Sequence, residues 1–162
     1  MKELLVMRHA KSSWSNSGLA DIDRPLNRRG KLDAAKMAQH LSSLDLIPQA
    51  ISSSSSKRTR QTVAGLIEVW GEPPHLQFLR SFYHGDGEDF LPELAKLPED
   101  VERAMVVGHN PGVEMFVEDL GGEYERMPTA AVALFYLAVN SWAELQSEFE
   151  AELKNYWTPK SV

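Results

Sequence analysis

The chain of 162 residues contains no cysteine. This absence excludes disulfide bonds, thiolate metal sites and phosphatases that use a cysteine nucleophile. The histidines show no H-x-x-x-H spacing, and neither a G-x-S-x-G nor a Walker A sequence is present. The five histidines are His9, His40, His75, His84 and His109. We therefore expect no metal site and no cofactor.

Long apolar runs are missing as well. No stretch approaches the roughly 20 apolar residues of a membrane helix, and the first residues lead into a short strand core rather than a signal peptide. Hydrophobic residues make up 43% of the chain and charged residues 25%, which is typical of globular proteins. We expect a cytoplasmic protein with no membrane partner, folded as a single domain over residues 1–162.

Positive charge is scarce outside the first third of the chain. Residues 1–60 hold 11 of the 17 Lys and Arg residues but only 5 of the 23 Asp and Glu residues, within a net charge of −6. The overall acidity argues against a nucleic-acid partner. The basic N-terminal part would instead attract a small anionic group.

Apolar strands alternate with amphipathic helices along the sequence, which predicts a three-layer α/β/α sandwich with a mostly parallel sheet. Helices are expected over 28–43 with Asn27 as N-cap, over 57–69, over 90–97, and from Asn110 as N-cap to about 120. Strands are expected near 4–7, 50–52, 76–78, 104–107 and 132–139. Residues 142–145 are predicted to extend or pair with the last of these. The segment from Phe149 onward fits either a helix (149–153) or an edge strand near 156–157.

Arg8 and His9 end the first apolar run abruptly. In open α/β sheets, ligands bind at the carboxyl edge of the strands, where these two side chains would lie. Imidazole is a nucleophile and guanidinium binds phosphate in bidentate fashion. The pair therefore predicts phosphoryl transfer through a phosphorylated histidine.

Two further segments fall at the same predicted edge. Ser52–Ser56 forms a loop whose hydroxyl and N–H groups can face an anion, and the following helix opens with Lys57, Arg58 and Arg60, among which spacing alone does not choose. The run from Gly108 to Gly112 places His109 at a strand end beside free helix N–H groups.

Asp21-Ile22-Asp23 imitates the D-x-D motif of aspartyl-phosphate phosphatases, but it does not follow an apolar strand, so we reject that interpretation.

Three segments together resemble the signature of the histidine phosphatase superfamily, which includes the phosphoglycerate mutases. They are Leu5-Val6-Met7-Arg8-His9-Ala10-Lys11, Arg58-Thr59-Arg60-Gln61-Thr62 and Val107-Gly108-His109-Asn110-Pro111. The short length, with Arg8–Trp14 and Asp23–Gly30, is most similar to the SixA-type phosphohistidine phosphatases. The resemblance implies a phosphoglycerate-mutase-like fold and no metal or organic cofactor.

The resemblance also implies the roles of the site residues. His9 is the nucleophile, and Arg8, Arg58 and His109 enclose the phosphoryl group. Arg58 is chosen over Arg60 because it occupies the motif position ahead of Gln61. Residues expected to bind substrate are Lys11, Arg24 and Ser54.

One departure from the family bears on the substrate. Mutase-like members carry a glutamate acid in a Leu-Arg-Glu context, whereas here Ser81 follows Leu79-Arg80. An alkoxide leaving group needs a proton donor, but phosphohistidine leaves as an imidazole that can be protonated beforehand. We therefore expect a phosphorylated protein as partner. The alternatives are a small-molecule phosphomonoesterase, with Asp86, Glu88 or His84 as acid, and a non-catalytic phosphate-binding module.

Overall fold

The computed structural model describes residues 1–162. It contains six strands, β1 (Lys2–Arg8), β2 (Ala50–Ser54), β3 (His75–Leu79), β4 (Arg103–Gly108), β5 (Val132–Leu137) and β6 (Ala151–Trp157). They form one sheet in the order β3-β2-β4-β1-β5-β6. Strands β3, β2, β4 and β1 pair in parallel, and β5 runs antiparallel to both β1 and β6. The mostly parallel sheet is confirmed.

Helices cover both faces of this sheet. They are α1 (Arg28–Ser43), α2 (Lys57–Trp70), α3 (Gly87–Leu94) and α4 (Gly112–Gly121), with short 3-10 turns at Asp21–Asp23, Arg80–Phe82 and Trp142–Gln146. Side chains alternate along β1: Leu5 and Met7 join the core beneath α1 and α2, whereas Leu4 and Val6 join the core beneath α3 and α4. This arrangement confirms the three-layer α/β/α sandwich. None of the helices combines the length and apolarity needed to span a membrane.

Local capping explains where helices α1 and α2, which pack on the same face of the sheet, begin. The Asn27 side chain accepts a hydrogen bond from the Gly30 N–H at the start of α1, and Ser56 accepts one from the Thr59 N–H at the start of α2. Helix α1 has the predicted bounds and cap. Helix α2 follows directly on the carboxyl end of β2, and this places Arg58 in its first turn.

Three local predictions are wrong, and one that the sequence left open is decided. Helix α4 begins at Gly112 after Pro111. Asn110 does not cap it, because its Oδ1 accepts no hydrogen bond, while its Nδ2 donates to Glu114 and to the Met127 carbonyl. Helix α3 begins earlier than predicted, where Asp86 provides a capping box. Residues 142–146 form a 3-10 turn rather than an extension of β5. The segment from Phe149 onward, for which a helix and an edge strand were both open, contains the edge strand β6 (Ala151–Trp157).

The helices that follow β1 and β4 lie on opposite faces of the sheet. Helix α1 follows β1 on one face of the sheet and α4 follows β4 on the other, while the two strands are parallel neighbours. Such a switch point opens a crevice at the carboxyl ends of the strands. His9 and His109 come directly after these two ends.

Candidate active site

His9 lies at the bottom of the crevice and is only 6% exposed. Its Nδ1 is 2.6 Å from the carbonyl oxygen of Ala10. A carbonyl accepts only, so Nδ1 carries the proton and Nε2 keeps its lone pair. Burial lowers the pKa of His9 to about 3, and the charges of Arg58, Arg8 and Arg24 act in the same direction. His9 is therefore neutral at physiological pH, and its free Nε2 is able to act as a nucleophile.

The His109 ring stands beside His9, with centroids 5.1 Å apart. Its Nε2 is 2.8 Å from Ser54 Oγ, and its Nδ1 is buried without a protein partner. Ser54 Oγ accepts from the Ser56 N–H, and Nε2 is the only acceptor within hydrogen-bond distance of its hydroxyl hydrogen, so we assign Ser54 as the donor to Nε2. Burial is the main cause that lowers the pKa of His109 to about 3, and the charge of Arg58 acts in the same direction. With this donor, the single ring proton of His109 sits on Nδ1, which is buried and has no partner in the protein.

Arg8 and Arg58 line the same cavity of about 350 Å³ as the two imidazoles. Arg8 donates from Nη1 to the Met127 carbonyl at 3.0 Å, and its Nε is buried without a partner. Arg58 donates from Nη1 to the Asp21 carbonyl at 2.7 Å. The structure thus brings together the four residues predicted to be catalytic, and its guanidinium groups supply the positive charge that a phosphoryl group requires.

The three residues predicted to bind substrate divide into two groups. Lys11 and Arg24 line the cavity, and Arg24 is held by Ser12 Oγ at 2.5 Å and stacks on the exposed Trp14 ring at 3.2 Å. Ser54 does not reach the cavity. It is fully buried behind His109. Ser54 therefore contacts that imidazole and does not line the surface of the cavity.

Arg60 points away from the cavity. Its Nε donates to the Ser55 carbonyl at 3.0 Å, and its guanidinium stacks over Phe78 at 4.3 Å. The helix period explains the difference, because two residues along a helix rotate a side chain to the other side. Of the two arginines, only Arg58 lies at the cavity.

Asp21 is a site residue that the sequence reasoning missed. Its carboxylate accepts from Arg58 Nη2 at 3.0 Å, from Arg24 Nη1 at 2.9 Å and from the Tyr83 hydroxyl. The hydrogen bond from Tyr83, together with those from the two arginines, holds the pKa of Asp21 well below its usual range. The spacing to Arg24 fits an i,i+3 pair, but its contacts with Arg58 and Tyr83 join distant parts of the chain and leave no local signal.

A second cavity of about 400 Å³ adjoins the first and shares Arg58 and His109 with it. Of the three proposed acids, His84 and Asp86 line this second cavity and Glu88 does not. Asp86 accepts the Glu88 N–H at 2.9 Å as the cap of α3. The structure contains no group of three or more His, Asp or Glu side chains placed to hold a metal ion.

Comparison with known proteins agrees with this geometry. The model of the histidine phosphatase superfamily (branch 1) matches residues 4–105, and the chain belongs to this superfamily. Within it the chain is of the SixA type. A solved structure from Agrobacterium tumefaciens, named for the phosphohistidine phosphatase SixA, shares 25% identity with a TM-score of 0.83 over 98% of both chains.

Two other relatives extend the comparison. A protein histidine phosphatase SixA solved with tungstate has the same fold, with 22% identity and a TM-score of 0.84 over 98% of this chain and 97% of that one. An uncharacterized chloroplastic protein of Arabidopsis thaliana is 38% identical over 152 residues, covering 88% of this chain and 70% of the relative. The family match makes this protein a phosphatase of the histidine phosphatase superfamily.

Proposed function

We propose that this phosphatase removes phosphate from phosphohistidine in a protein. In the first step, His9 Nε2 attacks phosphorus, and the P–N bond to the substrate imidazole breaks as the new P–N bond forms. The substrate imidazole departs carrying a proton acquired before transfer. Water then attacks the phosphorus on His9, releases inorganic phosphate, and restores the neutral imidazole.

The surrounding groups support this transfer. Arg8 and Arg58 offer guanidinium N–H groups to the equatorial phosphoryl oxygens, and His109 offers its Nδ1–H. Fixed donors of this kind stabilise charge that develops in the transition state. Because they already supply the positive charge, we propose that the reaction needs no metal ion.

The proposed substrate class rests on the protonation state of the carboxyl groups beside the cavity at His9. Asp21 is held ionised by its three donors and has no proton to give to a leaving group. The position where mutase-like relatives carry glutamate is Ser81, which is exposed in a 3-10 turn. A preprotonated imidazole leaves without a general acid, whereas an alkoxide does not.

A small-molecule phosphomonoesterase is the second candidate. It is favoured by one observation, that His84 and Asp86 line the cavity adjoining Arg58 and His109. A purely phosphate-binding module is disfavoured, because binding alone needs cations and not a neutral nucleophile with its tautomer fixed by Ala10.

The test compares kcat/KM for a phosphohistidine protein and for an alkyl sugar phosphate, in the presence and absence of a chelator. We expect the phosphohistidine protein to be preferred by roughly 10²–10⁴, the usual contribution of a general acid to a poor leaving group. The chelator should change neither rate. A preference for the sugar phosphate would contradict the substrate class, and a loss of rate restored by a divalent cation would contradict metal independence.

A further inference from the structure

A groove of about 810 Å³ lies between helices α3 and α4 and the segment that leads into β6. Its floor is apolar and formed by side chains that pack on the core beneath. These are Leu91, Phe116, Leu120, Phe149 and Ala151. Met115 adds a thioether that is 46% exposed, and methionine adapts readily to the shape of a bound partner.

The rim of the groove carries charge of one sign only. Five carboxylates line it, and no lysine or arginine does. They are Asp86, Glu88, Asp119, Glu148 and Glu150. None of the five takes part in an ion pair within the chain. An apolar floor within a polar, charged rim is the usual anatomy of a protein-binding surface.

The groove continues into the active site. Asp86 and Met115 line both the groove and the second cavity, whose other walls include Arg58 and His109. Its walls are also tightly packed at this junction: a Cβ placed on Gly87 would lie 3.0 Å from the Phe116 ring, and Phe116 packs edge-to-face on Phe90 at 5.2 Å. The groove is therefore preformed beside the phosphoryl site.

We propose that this groove binds a basic segment with apolar anchors from the phosphorylated protein substrate, while the phosphohistidine of that substrate occupies the site at His9. The proposal rests on the proposed function. Lysine or arginine side chains of the segment pair with the five rim carboxylates, and its apolar side chains contact the floor. The groove thus selects the protein partner, whereas the cationic cavity selects only the phosphoryl group.

Charge disfavours the other occupants. An anionic metabolite would be repelled by five carboxylates with no cation among them. A second copy of this chain packed groove to groove would bring two such rims together. A basic partner removes the repulsion among these carboxylates and is attracted by them.

The test uses three synthetic peptides that carry the same phosphohistidine. Their flanking segments contain lysine and leucine, glutamate and leucine, or lysine and serine. We expect the lysine–leucine peptide to have the lowest KM, since only this peptide can pair with the rim carboxylates and also contact the apolar floor. Its unphosphorylated form should also bind the intact protein in fluorescence anisotropy, with an affinity that weakens as salt increases.

Reversing the rim charge identifies the surface. The variant Glu148→Lys/Glu150→Lys changes two exposed residues, and Glu68→Lys/Glu72→Lys is the control, because these exposed carboxylates lie at the end of α2 on the other face. We expect the groove variant to bind the lysine–leucine peptide roughly tenfold more weakly, as removal of rim charges usually slows association. Turnover of phosphoramidate should be unchanged in both variants.

Several results would overturn the proposal. They are equal binding of the three peptides, equal losses in the two variants, or a wild-type dimer in sedimentation that the groove variant dissociates. If no phosphohistidine peptide is hydrolysed, the proposed function fails instead. Anisotropy with the unphosphorylated peptide still decides whether the groove binds a basic apolar segment.

Discussion

Two neutral imidazoles stand side by side in the crevice, and each has a defined partner for one ring nitrogen. The Ala10 carbonyl fixes His9 with a free Nε2, and Ser54 fixes His109 with a free Nδ1–H. One ring can therefore give an electron pair to phosphorus while the other donates a hydrogen bond to oxygen. In the proposed mechanism the same residue type has two roles, because the hydrogen-bond partner of each ring differs.

Arg58 and Arg60 make a matched pair for testing the phosphate contact. Arg58→Ala should lower kcat/KM by on the order of 10²–10³, the usual cost of losing one preorganised donor to the transition state. It should also weaken inhibition by vanadate. Arg60→Ala should change both values much less, because Arg60 stacks on Phe78 outside the cavity. The reverse order of effects would show that the wrong arginine has been assigned.

Asp21 is expected to position Arg58 without reacting itself. In Asp21→Asn, the guanidinium loses a charged acceptor, and we expect kcat to fall by roughly tenfold, since small displacements of catalytic groups carry large rate costs. Burial first, and then the hydrogen bond to Asp21, raise the pKa of Tyr83. The pKa of Tyr83 should therefore move back toward its ordinary value in this variant.

Absorbance titration of the tyrosines measures that shift independently of activity. Asp23→Asn is the control, since Asp23 lies in the same turn, is exposed and forms no ion pair. An Asp21→Asn variant with a normal rate and an unchanged Tyr83 pKa would remove Asp21 from the site.

At the scale of elements, helix α4 depends on a close approach to the loop before α3. A Cβ on Gly112 would lie 1.8 Å from the Gly85 carbonyl oxygen. We expect Gly112→Ala to destabilise the fold by about 1–3 kcal/mol, the range for overpacking, and to lower kcat because His109 immediately precedes this contact.

Gly121→Ala at the other end of the same helix is the matched control. Its nearest neighbour would be Phe135 Cε1 at 3.5 Å, an ordinary contact, and alanine favours helix more than glycine. Urea unfolding of both variants measures the difference. Equal stability of the two variants would show that the contact between Gly112 and Gly85 is not tight.

Features set by interactions between residues close in the sequence were predicted correctly, whereas features set by distant contacts were ambiguous or missed. Helix α1 was predicted with its bounds and cap because Asn27 and Gly30 are close in the sequence. Strand β6 was ambiguous because its pairing with β5 decides it, and the 3-10 turn at 142–146 was missed because the buried Trp142 donates to the distant Val101 carbonyl. Strand ends placed His9 and His109 correctly at one edge of the sheet.

The remainder of the site needed tertiary contacts. Asp21 lies 62 residues from Tyr83 and 37 from Arg58, so no motif spacing links them. Ser54 was predicted to face an anion, yet its hydroxyl lies behind His109. A strand-end position gives the edge at which a side chain lies, whereas the face to which it points alternates along the strand and so changes with the exact residue at which the strand ends.

For the whole molecule, the two buried histidines make stability depend on pH. Both pKa values lie at about 3 in the folded state, below the ordinary value of 6.5. Between these limits the unfolded chain binds more protons, so the free energy of unfolding falls as pH falls, by up to about 1.4 kcal/mol per pH unit for each histidine. Stability from these groups is fully present above pH 6.5.

Urea unfolding at pH 7 and pH 5 tests this dependence. The double variant His9→Asn/His109→Asn should lose much less stability than the wild type between the two pH values. Asp21 titrates below this window, so it does not contribute to the difference. An equal loss in both proteins would show that the two imidazoles are not held neutral by burial.

The most direct test of the mechanism is to identify the phosphorylated residue. The protein is mixed with a phosphohistidine peptide, quenched within milliseconds under alkaline conditions, digested and analysed by mass spectrometry. We predict an acid-labile phosphate on Nε2 of His9 in the wild type, and neither a phosphoenzyme nor turnover in His9→Ala. Turnover by His9→Ala, or phosphate on another residue of the wild type, would contradict His9 as the phosphoryl acceptor.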